Sequence, residues 1–167
     1  MTIYPRYSSA VLLGLSAALL ISLVPGGPIE NRDFSHISPL ILTAFNVFLT
    51  VLGIGSLLLI PLCLKRFKVA GTLSMFVAAS YLVVYLIDLF AIFPQTPTPM
   101  SQALFSVEVL GSIVSLPLLW AGWQLRCMNT KTTQEAKLLT PRQTALLILV
   151  SVAIVIFATW SAMHSAT

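Results

Sequence analysis

Two acidic residues stand inside apolar runs where a hydrocarbon environment is expected: Asp88 in YLIDLF and Glu108 in FSVEVL. An isolated carboxylate is costly in low dielectric, so an acid within a membrane segment is by default a functional hypothesis. The two runs are joined by PQTPTPM, residues 94–100, whose three prolines favour an extended, stiff connector. At about 1.5 Å of rise per residue the acids lie roughly 9 and 12 Å from that connector, so an antiparallel hairpin brings them to similar depth. Two carboxyls at one site can hold a proton between them, which makes proton exchange one chemistry open to the pair.

The residues that could serve this pair are few. Gly71, Ser74, Ala78, Tyr81, Tyr85 and Asp88 recur at spacings of three and four, one small and polar stripe on an otherwise aliphatic helix. Such a stripe faces protein or a cavity, and its upper part, Tyr81, Tyr85 and Asp88, describes a polar pocket or a short proton path. The next helix repeats the pattern with Ser101, Glu108, Ser112 and Ser115. In the segment 29–36 there are three charges and a histidine, Glu30, Arg32, Asp33 and His36. It reads as a solvated loop, or as a strap that turns Arg32 inward to neutralise Asp88 or Glu108. Asn46 and His164 complete the secondary candidates, Asn46 as a cross-helix hydrogen-bond donor and His164 just beyond the last apolar run.

Other site chemistries find little support. A metal centre needs three or four converging ligands, whereas Glu30, His36, Asp88, Glu108 and His164 are scattered over five segments without HxxxH or HxxE spacing. Two histidines near the same membrane face are poor axial ligands for a haem, and no cofactor is implied. Cys63 and Cys127, the only cysteines, form no CxxC, so a thiol oxidoreductase has no nucleophile. An intramembrane aspartyl pair would need a second aspartate, and only Asp88 is available.

The elements that must carry these residues are helices. The chain has 167 residues, 57% hydrophobic and only 8% charged, against about 25% charged in an ordinary soluble domain. Five apolar runs, at about 8–24, 39–64, 69–93, 102–125 and 144–162, have the length a helix needs to cross a bilayer. Backbone groups in lipid must be satisfied within their own segment, and no alternating barrel pattern occurs, so the expectation is one all-α domain, a polytopic bundle of five transmembrane helices. VPGGP, at 24–28, offers no good cleavage site, and the first run is read as a retained span whose small residues, Gly14, Ala17, Ala18 and Ser22, let a neighbour approach. Tyr4 and Tyr7 before it, and Trp120 and Trp123 at the end of the fourth run, suit the headgroup level.

With alternating spans, eight of the nine basic residues fall on one side: Arg6, Lys65, Arg66, Lys68, Arg126, Lys131, Lys137 and Arg142. Only Arg32 falls on the other. The positive-inside rule then sets the N-terminus in the cytoplasm and the C-terminus outside, in a plasma (inner) membrane. The net charge of +4 is thereby a topology signal and not a nucleic-acid footprint. Pro61 is expected to bend or end the second helix, Thr140 and Pro141 to start the fifth, and the aliphatic fifth helix to lie at the periphery facing lipid.

The functional expectation is binding: a ligand- or lipid-binding protein, or the accessory subunit of a membrane complex or a homo-oligomer, with a carboxylate-containing pocket in its outer half. Asp88, Glu108, Arg32, Tyr81 and Tyr85 would build that pocket. Proton- or cation-coupled transport of a small solute is the alternative, although no charged residue lines a route below Gly71 and Ser115. An enzyme using the acid pair is the third reading.

Overall fold

The computed structural model describes residues 5–25, 29–30, 32–65, 67–128 and 141–164. Among these the chain is all-helical, with α1 (Pro5–Ser22), α2 (Pro39–Leu64), α3 (Lys68–Leu89), α4 (Gln102–Cys127) and α5 (Pro141–His164). The first four are long and apolar enough to cross a bilayer. In α5 the described apolar stretch is Ile148–Ser161, shorter than a full span. The chain is a membrane protein. Expectations attached to Tyr4, Gly26, Gly27, Pro28, Arg66, Lys131, Lys137 and Thr140 lie outside the described residues.

The helices begin and end where local chemistry dictates. Pro39 opens α2 at a position where a missing N–H costs nothing. Ser101 opens α4, its Oγ accepting the Leu104 N–H at 3.1 Å. Ser101 is thus a cap at the helix mouth, not a member of the buried polar stripe. Pro61 does not end α2, which runs three residues further. The third apolar run was expected to be helical to residue 93, but α3 stops at Leu89. Ala91 takes the left-handed conformation (φ 51°), and the N–H groups of Ala91 and Ile92 close back onto the Asp88 and Ile87 carbonyls at 2.8 and 2.9 Å. These bonds satisfy carbonyls that a helix end leaves open.

Neighbouring helices run antiparallel. The start of α3 meets the end of α4, where a Cβ on Gly71 would collide with the Arg126 backbone. At the other end of the same hairpin, a Cβ on Gly111 would collide with the Tyr85 ring. Glycine at both ends is what lets α3 and α4 lie so close. α1 packs against α2 and α4 through Ser9, Ala10, Leu13, Ser16, Ala17 and Leu20. The close face is therefore this stripe; of the four small residues expected there only Ala17 is fully buried, and Ala18 is exposed. α5 rests on α2. Its less exposed side, Ser151, Val155, Ala158 and Thr159, recurs at helical spacing, while Leu146, Leu149, Ile156 and Trp160 face outward, as expected of a peripheral helix.

The interior is layered. Leu13, Leu59, Leu62, Cys63, Leu118 and Leu125 fill the end that also carries Arg6, Lys65 and Arg126. Leu20, Leu52, Tyr81 and Tyr85 form the next layer. Above it lie the α1–α2 loop and the α3–α4 connector. His36 Nε2 donates to the Gln95 carbonyl at 2.6 Å and the Asp33 N–H to Thr98 Oγ1 at 3.3 Å, so the connector tethers the loop.

Candidate functional site

Arg32 turns inward. Its Nη1 and Nη2 donate to the two oxygens of Asp88, both at 2.7 Å, while Nε and Nη2 donate to Glu30 at 2.9 and 2.6 Å. The Arg32 backbone N–H adds a bond to Glu30 Oε1 at 3.1 Å. One planar fork thus grips two carboxylates, the geometry to which guanidinium is suited. The side chains are 7%, 5% and 13% exposed for Arg32, Glu30 and Asp88. Burial alone would weaken the arginine's hold on its proton. The bonds to Asp88 and Glu30 outweigh that effect and raise its pKa above the ordinary arginine value. The Phe34 ring lies 5.5 Å below the guanidinium carbon.

Glu108 comes to the same place from α4. It is 1% exposed, and it lines the same cavity as Asp88. Its Oε2 is buried without a hydrogen-bond partner, and so is the Tyr85 hydroxyl. Both residues line a cavity of about 50 Å³, together with Glu30, Arg32, Phe34 and Asp88. An unpartnered buried polar atom costs about 1–3 kcal/mol, so two at one small cavity are an unusual expense.

The structure brings four of the expected pocket residues, Asp88, Glu108, Arg32 and Tyr85, to one cavity, and adds Glu30, a secondary candidate. Tyr81 belongs to the layer beneath. Its ring stacks on Tyr85, with centroids 6.1 Å apart, and its hydroxyl pairs with Ser56 Oγ at 3.0 Å. The two tyrosine hydroxyls do not form a relay, because Tyr81 points to α2 and Tyr85 has no partner. Ser56 was missed; the signal was a lone hydroxyl in the aliphatic run of α2, where its Oγ also donates to the Leu52 carbonyl at 2.6 Å.

The other candidates are elsewhere. Asp33 is a turn residue, and the Ser35 N–H donated to its carboxylate at 2.8 Å holds its pKa below the usual aspartate range. His36 is exposed on the connector. Ser112 Oγ is buried and unpartnered one turn beyond Glu108 but does not line the cavity. His164 ends α5. Asn46 is buried, lines the cavity wall and donates to Thr159 Oγ1 at 3.1 Å. Among the described residues no three metal-ligating side chains converge.

Fold and site together define a class: an apolar helical membrane protein with an arginine-bridged carboxylate cluster closing one end. The chain belongs to the family described as domain of unknown function DUF8051, whose profile matches residues 5–137. That span holds α1 to α4 and the whole cluster, and α5 follows it. No curated protein and no solved structure matches the chain.

Proposed function

We propose that this protein binds a small ligand in the cavity at the Arg32 end, with Glu108 and Tyr85 as the groups that meet it. The observation that carries the reading is the pair of buried, unpartnered polar atoms, Glu108 Oε2 and Tyr85 Oη, on residues that line one cavity. The Glu30–Arg32–Asp88 cluster serves it as a rigid wall, since four of the five N–H groups of the Arg32 side chain are directed at carboxylates. Binding is favoured over transport because the far end is packed with Leu13, Leu59, Leu118 and Leu125 and, among the described residues, holds no buried charged side chain. The basic residues at that far end orient the cavity outward and the N-terminus inward, across a plasma (inner) membrane.

Native mass spectrometry of the protein taken from its own membrane in lipid nanodiscs tests this. A reproducible small-molecule adduct is expected, lost in Glu108→Gln and weakened in Tyr85→Phe, with both variants still folded. A bare wild-type chain, an adduct indifferent to both changes, or a partner chain that leaves with Glu108→Gln would each overturn it.

A further inference from the structure

We infer that the ligand is an amphiphile with a primary ammonium head at Glu108 and an alkyl tail between α1, α2 and α5. This rests on the ligand-binding reading above and names the chemistry of that site's occupant.

A second cavity, an apolar groove of about 250 Å³, lies between the three helices and is walled by Leu20, Leu23, Leu49, Ile54, Leu57 and Ile154. It shares Leu20, Leu23, Pro25, Asn46 and Leu49 with the charged cavity, so the two lie side by side. Along α2 the groove runs from Asn46 to Leu57, a rise of roughly 16 Å, which matches an extended chain of about a dozen carbons. Its polar end is the Arg32 end and its blind end lies toward the leucine layer. That is the order of head and tail in an amphiphile entering from that face.

Charge selects the head. Glu30, Asp88 and Glu108 bring three carboxyls against the single cation Arg32. Three carboxyls against one cation leave the cluster negative even when one of them is protonated. Four of the five Arg32 N–H groups already face Glu30 and Asp88, so an anionic head would find few free donors and would be repelled by the carboxyls. An ammonium would be attracted, and its N–H groups would satisfy Glu108 Oε2. Size selects further: about 50 Å³ admits a few water-sized groups and not a bulky phosphocholine.

The test is thermal stability of the full chain in phosphatidylcholine nanodiscs, titrated with dodecylamine, dodecanol, laurate and butylamine at pH 7. Dodecylamine is expected to raise the unfolding temperature saturably, with the neutral, anionic and short-chain probes giving less than about a third of that shift. Glu108→Gln should weaken the response at least about tenfold. Gly53→Leu, which fills the groove beside Leu20, should remove it, and Val150→Phe provides the same obstruction from α5 should that variant fold poorly. Equal responses to laurate or dodecanol, or an unchanged response in Glu108→Gln, would overturn the ammonium assignment. A Glu108-dependent native adduct without a dodecylamine response would remove the ammonium class and leave the binding site standing; absence of both would remove both.

Discussion

Replacing Arg32 with glutamine isolates two carboxylates that it now holds apart and neutralises. Four side-chain hydrogen bonds of 2.6–2.9 Å disappear together, from Nε, Nη1 and Nη2 to Glu30 and Asp88. Removing one partner of a buried ion pair costs about 3–5 kcal/mol, because the remaining charge is uncompensated. Asp88 retains 13% exposure, which lets water relieve part of the penalty, so the lower end, about 3 kcal/mol, is expected. At about 2–4 °C per kcal/mol for a chain of this size, the unfolding temperature should fall by roughly 6–12 °C. Cys63 provides the probe, being buried, whereas Cys127 is exposed and is first changed to serine. A thiol-reactive fluorophore then reports unfolding as Cys63 becomes accessible. The triple variant Glu30→Gln, Arg32→Gln, Asp88→Asn should regain at least about half of the loss, since neutral amides need no countercharge. Arg32→Lys should fall between, because an ammonium cannot fork to both acids. A single variant within about 2 °C of its parent, or a triple variant no better than the single, would refute the argument.

The two tyrosines should behave oppositely despite equal burial. Tyr81→Phe breaks the bond to Ser56 and should cost about 1 kcal/mol in the same assay, whereas Tyr85→Phe removes a hydroxyl with no partner and should leave the unliganded protein as stable or slightly more so. The glycines divide the same way. Gly71→Ala and Gly111→Ala should each lose about 1–3 kcal/mol by wedging α3 from α4, Gly71 the more because backbone obstructs it. Gly55→Ala, with open space around its Cβ, should gain up to about 1 kcal/mol from helix propensity.

The helices were legible because hydropathy and length are written into the runs themselves. That Asp88 and Glu108 share one end of the hairpin was legible too, but the depth of Asp88 was not, since it lies in the last turn of α3. The stop of α3 at Leu89 was not, because FAIF is as apolar as the helix before it and the left-handed cap is taken by Ala91 where a glycine would have announced it. Arg32 was legible only as one of two alternatives, since a loop's path depends on tethers such as His36 to Gln95 and Asp33 to Thr98 that link residues about 60 positions apart. The same distance hid the pairing of Ser56 with Tyr81. Residue types pointed to a polar pocket; which hydroxyl stayed unpartnered inside it required three helices to be in place.

The attachment of α5 bears on the order in which the protein is made. α1 to α4 carry every member of the charged cluster and both glycine contacts, and they leave α2 with one flank uncovered. α5 covers that flank with the strip from Ser151 to Thr159 and with the bond from Asn46 to Thr159, worth about 1 kcal/mol in a membrane. The four-helix body therefore depends least on α5. The four-helix body can assemble while α5 is still being synthesised, with the trough beside α2 facing the acyl chains of the bilayer. Arrival of α5 then gives that seam in the lipid-facing surface a third wall and makes it a groove between three helices.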